Sequence, residues 1–172
     1  MSRKLLLIVD MQNDFMPTGA LPVPDSDKLI TPIVSLSKKY EHVAATLDAH
    51  QPDHMSFSAQ GGKWPPHCVY NTRGYQLVDG LKVNSQFLKG LFETEGYSIA
   101  ENAQFMLFAQ LFDQIDVVGV ALDFCVKACA TEIKKAFPGK RVKIIFNLCK
   151  AVGKIDRLEF TKEMEQNGVE VE

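Results

Sequence analysis

The sequence has few of the features that mark secreted, membrane-spanning or nucleic-acid-binding proteins. Its 172 residues include only four cysteines and no Cys-x-x-Cys pair, which predicts a reducing, cytoplasmic environment without structural disulfides. No apolar run approaches the roughly 20 residues of a membrane span, and the apolar run after residues 1–4 is too short for a signal peptide. The 19 basic and 21 acidic residues form no basic stripe, which argues against nucleic acid as a partner.

The apolar residues fall into an alternation of strand and helix patterns. Six segments have the composition of strands: 4–10, 42–47, 85–88, 115–120, 141–147 and 168–171. Apolar residues recur at helical spacing in four segments. Three of these segments begin at a candidate N-cap, which is Asp25 or Ser26 in the first, Asn102 in the second and Asp123 in the third. The fourth helical segment covers residues 156–167. This alternation predicts a single α/β domain over residues 1–172. We expect a three-layer sandwich, with a mostly parallel sheet of about five or six strands and helices on both faces.

Three chemically useful side chains come at or just after the ends of different strands. Asp10 ends the first strand, Lys89 ends the third, and Cys125 lies in the first helical turn after the strand 115–120. The carboxyl ends of strands in an open parallel sheet meet at one crevice, and a helix start favours a thiolate. Taken singly, Cys125 also suits a buried packing residue and Lys89 an exposed surface residue. Together, Cys125, Asp10 and Lys89 predict a nucleophile, a base and an electrostatic partner for acyl transfer.

A second polar group follows the second strand. Asp48, His50, His54 and His67 offer a carboxylate and two or three imidazoles to one divalent cation. In extended chain, Asp48 and His50 point to the same side because side chains alternate with period two. A lone histidine is more often structural, but four ligand-type residues together predict a metal site. A mixed His and carboxylate set suits zinc, with iron and manganese as alternatives.

Several short motifs in order resemble one enzyme family. They are residues 8–15 (IVDMQNDF), 48–50 (DAH), 53–57 (DHMSF), 64–69 (WPPHCV), 89–90 (KG), 119–121 (GVA) and 123–127 (DFCVK). Together they span nearly the whole chain and resemble the isochorismatase-like cysteine hydrolases, and within them the nicotinamidases, also called pyrazinamidases. The WPPHC motif and the Asp-x-His loop favour that metal-containing branch over its metal-free relatives.

The resemblance implies a role for each matching residue of the reaction centre. Cys125 is expected to attack the carboxamide carbon and form a thioester, while Asp10 takes and returns the proton. Lys89 is expected to lower the thiol pKa and steady Asp10. The family has a cis peptide before the residue that matches Ala121, which directs the N–H groups of Ala121 and Cys125 toward the oxyanion. The expected reaction converts nicotinamide to nicotinate and ammonia, with pyrazinamide as a further substrate.

The resemblance also implies a metal site and an aromatic pocket for a small amide. Asp48, His50 and His67 would hold one divalent metal ion that orients the pyridine ring, with His54 as a fourth ligand or as a neighbour of the ligands. The walls around the ring would be aromatic: Phe15, Trp64 and Tyr97. The residues alone would assign these three rings to the core.

The sequence departs from the family pattern at Leu122, where threonine is usual, and it leaves two other functions open. One alternative is a hydrolase of the same fold that acts on another small amide or carbamoyl compound. The other is a non-catalytic thiol-redox protein that uses Cys125 and Cys129, which lie one helical turn apart, although helix geometry suits a disulfide there poorly. The sequence leaves open whether the chain forms homo-oligomers.

Overall fold

The chain folds around one parallel sheet. The structure, a computed structural model, describes residues 3–91 and 94–172. Six strands form the sheet: β1 (Lys4–Val9), β2 (His42–Asp48), β3 (Ser85–Lys89), β4 (Gln114–Val120), β5 (Arg141–Lys150) and β6 (Glu170–Val171). Their order is β3-β2-β1-β4-β5-β6, and every neighbouring pair is parallel. The predicted single-domain α/β fold is confirmed.

Helices cover both faces of this sheet, as predicted. They are α1 (Ile30–Ser37), α2 (Ala103–Ala109), α3 (Lys127–Ala136) and α4 (Arg157–Gln166). Leu5, Leu7 and Val9 of β1 belong to one buried cluster with the apolar residues of α2, α3 and α4. Leu6 and Ile8 belong to a second cluster that includes the apolar side of α1. Because strand side chains alternate between faces and both faces are covered, β1 is apolar and buried from Leu5 to Val9.

Two helix starts follow the capping rules. Asn102, predicted to cap α2, accepts a hydrogen bond from the backbone N–H of Phe105 at 3.0 Å. Asp156, the first residue of the predicted final helix, caps α4 by accepting from the N–H of Glu159 at 2.9 Å. Each side chain supplies an acceptor to an N–H group that has no partner within its own helix.

The capping prediction for Asp123 is wrong. The segment Leu122–Val126 forms a π-helical turn ahead of α3 and has no side-chain cap. The Asp123 carboxylate instead accepts hydrogen bonds from the backbone N–H groups of Val152 and Gly153, at 3.0 and 2.9 Å. It therefore ties the loop after β5 to the turn that carries Cys125.

The prediction that Asp25 or Ser26 caps the first helix is also wrong. A 3-10 turn, Ser26–Leu29, precedes α1 without a side-chain cap. Asp25 has a left-handed backbone and pairs with Lys28, while the Ser26 hydroxyl donates to the carbonyl of Phe15 at 2.8 Å. Ser26 thereby fixes the loop that follows β1.

Strand β4 lies tightly against β1 where the site begins. Gly119 has a φ of +115°, and a Cβ there would lie 2.2 Å from the carbonyl oxygen of Val9. Only glycine permits that approach without displacing β1. The end of β4 is thereby held against the end of β1, next to Asp10. In the described ranges, no helix has the length and apolar character needed to cross a membrane.

Candidate active site

The predicted reactive residues lie at the ends of four adjacent strands. Asp10 follows β1, Asp48 ends β2, Lys89 ends β3 and Cys125 follows β4. Since these strands are neighbours in the order β3-β2-β1-β4, the parallel sheet brings all four side chains to one edge. Ligand atoms of Asp10, Asp48 and Cys125 all lie within 4.8 Å of one another. The convergence expected from the sequence is confirmed.

The Lys89 ammonium sits at the centre of this group. Its Nζ lies 2.7 Å from Asp10 Oδ2 and 3.4 Å from Cys125 Sγ, and it also hydrogen-bonds to Asp48 Oδ1. The Thr46 hydroxyl donates to the other Asp10 oxygen, Oδ1, at 2.5 Å. Among the described residues, Asp10 Oδ2 accepts no hydrogen bond of good geometry despite the ion pair. That oxygen therefore retains capacity to accept a hydrogen.

Burial dominates the protonation states at this edge. Burial raises the pKa of the Cys125 thiol well above its usual value, and the Lys89 ammonium opposes this only in part. Lys89 thus lowers the thiol pKa, as expected, but burial outweighs this effect and the net pKa is raised. Burial likewise raises the pKa of Asp10, with Lys89 acting in the opposite direction. A buried thiol with a raised pKa stays protonated, so its reaction needs a nearby base, and the Asp10 carboxylate lies within 4.8 Å of the Cys125 sulfur.

The ammonium is stabilised by the same two carboxylates. Burial alone would lower the pKa of Lys89, but the carboxylates of Asp10 and Asp48 reverse this and hold the pKa well above its usual value. Lys89 therefore remains charged although its side chain is fully buried. A buried cation between two carboxylates and a thiol stabilises negative charge on whichever partner carries it.

A second cluster fits a divalent metal. Asp48 Oδ2 lies 3.5 Å from His50 Nε2 and 3.9 Å from His67 Nε2. The Nδ1 atoms of His50 and His67 lie 2.9 and 2.8 Å from the carbonyls of Gly90 and Pro65. Because a carbonyl only accepts, each Nδ1 carries the hydrogen and leaves the Nε2 lone pair directed at Asp48. Two imidazoles and a carboxylate oriented in this way form a ligand set for one divalent ion.

His54 adjoins this cluster. Its ring stacks on the His50 ring with centroids 4.1 Å apart, and its Nδ1 lies 2.7 Å from the Ser56 hydroxyl. His54 is buried. The stacking supports the orientation of the His50 ring. The position of His54 is compatible with both expected roles, a fourth metal ligand or a neighbour of the ligands.

Replacing Gly90 by alanine is expected to weaken metal binding by about 10- to 100-fold, because Gly90 supports a ligand. Gly90 has a φ of +67°, and a Cβ there would lie 2.6 Å from His50 Cε1. Metal content of the purified variant at graded free metal concentrations measures the effect. Gly80→Ala is the matched control, since Gly80 has a φ of +93° but open space around its Cβ position. Equal metal affinity in both variants would contradict the prediction.

A cleft of about 450 Å³ lies above both clusters. The three predicted wall residues, Phe15, Trp64 and Tyr97, line it together with Cys125. Trp64 Nε1 donates to the Tyr97 hydroxyl at 3.0 Å, and the Trp64 ring packs on Phe124 with centroids 5.3 Å apart. The result is a slot with aromatic walls, a reactive thiol and a metal-ligand cluster, which suits a small planar ring.

The sequence analysis missed other residues of this cleft. They are Leu21, Val23, Ser56, Glu95, Phe124 and Val152. The DFCVK motif contained Phe124, but no sequence signal distinguished its ring from a core aromatic. Glu95 lies two residues before Tyr97 in a glycine-containing loop without periodicity.

The backbone around Cys125 agrees with the resemblance. The Val120–Ala121 peptide is cis, as expected, and Ala121 lines the cleft beside Cys125. Leu122 is only 2% exposed and packs in the core. Cys129 is also buried, and its sulfur accepts a hydrogen bond from the Ile99 N–H at 3.3 Å. All four cysteines are free.

Known proteins match this chain over nearly its full length. The isochorismatase domain model matches residues 4–172. The nicotinamidase/pyrazinamidase of Mycobacterium tuberculosis is 32% identical over 98% of this chain and 97% of its own. The pyrazinamidase of Pyrococcus horikoshii, solved in complex with zinc, has a TM-score of 0.90 at 33% identity over 99% of this chain and 98% of its own.

A protein from L. infantum, solved in complex with nicotinate, has a TM-score of 0.88 at 32% identity over 99% of this chain and 92% of its own. The similarity to these proteins extends over nearly the full length of this chain in sequence and in fold. The chain therefore belongs to the isochorismatase family, and within that family it groups with the nicotinamidases and pyrazinamidases.

Proposed function

We propose that this chain is a metal-containing cysteine amidohydrolase that converts nicotinamide to nicotinate and ammonia and also accepts pyrazinamide. The observation that carries the proposal is the contact of Lys89 Nζ with both Asp10 Oδ2 (2.7 Å) and Cys125 Sγ (3.4 Å) beneath an aromatic cleft. Relatives named nicotinamidase and pyrazinamidase, and a related structure that contains nicotinate, support the substrate class.

The first half of the reaction acylates Cys125. Asp10 takes the thiol proton as the sulfur attacks the carboxamide carbon, and the Lys89 ammonium stabilises the negative charge during transfer. Asp10 then passes the proton to the amide nitrogen as the C–N bond breaks. Ammonia leaves and a thioester remains on Cys125. The raised pKa of Asp10 suits it for both proton transfers.

The second half regenerates the thiol. Asp10, now deprotonated, takes a proton from a water molecule that attacks the thioester carbon. The C–S bond breaks, the proton returns to the Cys125 sulfur, and nicotinate is released. In both halves the backbone N–H groups of Ala121 and Cys125 are the proposed oxyanion donors. One such donor is typically worth ~3–4 kcal/mol in the transition state.

The remaining proposed roles concern substrate binding. Asp48, His50 and His67, with His54 as a fourth ligand or a neighbour, would hold one divalent ion, for which we propose zinc. When bound, that ion supplies a Lewis-acidic contact for the pyridine nitrogen. Three aromatic side chains would sandwich the ring: Phe15, Trp64 and Tyr97. Asp48 would join the two clusters, since one oxygen contacts Lys89 and the other faces the histidines.

Ammonia release from nicotinamide by the purified protein tests the assignment directly. We expect turnover of both nicotinamide and pyrazinamide. A carbamoyl compound serves as the comparison substrate, because another small amide hydrolase of the same fold is the rival within the enzyme class. Turnover of the carbamoyl compound with no turnover of either pyridine-type amide would overturn the proposal.

Removing the metal with a chelator is expected to raise the KM for nicotinamide by about tenfold or more, because the ring loses its orienting contact. Adding back zinc should restore KM, and metal content measured on the same samples links the two effects. Asp10, Lys89 and Cys125 remain in place without the ion, so residual turnover should survive. Unchanged KM in protein shown to be metal-free would contradict the proposed role of the site.

A further inference from the structure

One wall of the cleft carries an acidic group that the proposed reaction does not use. Glu95 lines the same cleft as Cys125 and Tyr97. Its Oε2 atom is buried and accepts no hydrogen bond within the described ranges 3–91 and 94–172. Buried polar atoms in folded proteins nearly always have a partner. Glu95 therefore brings to the wall of the cleft a carboxylate whose accepting capacity the described residues do not use, and a substrate N–H group is a donor of the right kind.

The position of Glu95 is fixed by its neighbours in the chain. Gly96 has a φ of +68°, and a Cβ there would lie 2.3 Å from the Cα of Gly90. The backbone after Glu95 thus rests on the backbone that follows Lys89, at the end of β3. This close approach seats the Glu95 segment against the reaction centre and the carbonyl that orients His50.

A directed set of hydrogen bonds also ends at Glu95. Trp64 Nε1 donates to the Tyr97 hydroxyl at 3.0 Å, so the hydroxyl hydrogen is free to be donated onward. Burial and a hydrogen bond to the Glu95 carboxylate raise the pKa of Tyr97 to about 12. The Tyr97 hydroxyl can therefore donate toward the Glu95 carboxylate. The Oε2 atom of the same carboxylate accepts no hydrogen bond from the described residues.

On the basis of the proposed function, we propose that Glu95 is a specificity-determining residue that separates the carboxamide substrate from the carboxylate product. A primary carboxamide has two N–H donors and no charge, so it can satisfy a carboxylate acceptor in the cleft. Nicotinate offers only acceptors on that group and carries a negative charge. Between apolar walls like charges repel more strongly than in bulk water, and an unmet acceptor is costly. Glu95 thereby favours amide entry and acid release.

The test compares Glu95→Gln with wild type in the metal-loaded enzyme. Glutamine keeps the shape, removes the charge and can present an N–H to a carboxylate. We expect the ratio of the inhibition constant of nicotinate to the KM of nicotinamide to fall by about tenfold or more. Glu95→Asp, which keeps the charge, should retain most of the wild-type ratio. Glu101→Gln is the matched control, since Glu101 is exposed in the same loop region and should leave the ratio unchanged.

The outcomes separate the inference from the function on which it rests. A wild type that turns over nicotinamide, with equal ratios in Glu95→Gln and wild type, overturns the role of Glu95 alone. A merely structural role would raise the KM and the inhibition constant together and leave their ratio unchanged. If Glu95→Gln does not fold, the ratio in Glu95→Asp against Glu101→Gln still decides, because loss of discrimination in Glu95→Asp contradicts a role of the charge. A wild type without nicotinamide turnover ends both proposals.

Discussion

Replacing Cys125 by alanine should lower kcat for nicotinamide by about 10⁴-fold or more, because removal of the nucleophile leaves only binding and oxyanion contacts. Cys125 is 5% exposed, so the change removes one buried sulfur and little else. Binding of nicotinamide, measured by calorimetry, should therefore change only a few-fold. Ammonia release measures kcat. A variant that still turns over within tenfold of wild type would contradict the proposed thioester.

Cys129→Ala is the matched control for that substitution. Cys129 is also buried, lies one helical turn further along, and takes a hydrogen bond from the Ile99 N–H. We expect kcat within a few-fold of wild type and a stability loss of about 1 kcal/mol, measured by denaturant unfolding. A thiol-redox protein would lose its function equally with either substitution. Unequal effects therefore separate the hydrolase from the redox alternative.

The sequence predicted a strand correctly where the strand is buried on both faces of the sheet, because such a strand is a continuous run of apolar residues. The run of β1 shows this, because helices cover both faces of the sheet. The sequence did not predict the end of β5 correctly. The strand was predicted to stop at Asn147 but continues to Lys150. The pairing of β5 with β4 shifts register between Val117 and Gly119. Asn147 lies opposite this irregularity and therefore does not mark the end of the strand.

The site was predictable in part because strand ends converge in a parallel sheet. Asp10, Lys89 and Cys125 could be grouped on topology alone. The contacts of Asp123 could not, because its partners lie 29 and 30 residues further along in a loop. Nor could the aromatic walls be assigned without a family resemblance, since a ring such as Trp64 has the same local pattern whether it borders a cleft or packs in a core. Glu95 could not be assigned from the sequence either, because only the three-dimensional structure shows that its Oε2 atom is buried without a hydrogen bond from the described residues.

Replacing Lys89 by methionine is the substitution expected to affect both activity and stability most. The Lys89 side chain is fully buried between the carboxylates of Asp10 and Asp48. Methionine preserves its length but leaves two buried carboxylates without their cation. Removing one partner of a buried ionic group typically costs about 3–5 kcal/mol, more than the apolar replacement recovers. Denaturant unfolding of metal-loaded protein should show a loss of that order.

The same substitution should lower kcat by about 10²–10⁴-fold, because Asp10 loses the group that steadies it and the sulfur loses the cation 3.4 Å away. Alkylation of Cys125 by iodoacetamide gives an independent reading. Burial already raises the thiol pKa, and Lys89 is the group that opposes this, so the variant should alkylate more slowly at neutral pH.

Lys127→Met is the matched control, since the ion pair of Lys127 with Glu163 is partly exposed and should contribute less than about 1 kcal/mol. If Lys89→Met lost stability but kept both kcat and alkylation rate, Lys89 would hold the carboxylates together without assisting the thiol. The ammonium would then have to be removed from the proposed reaction.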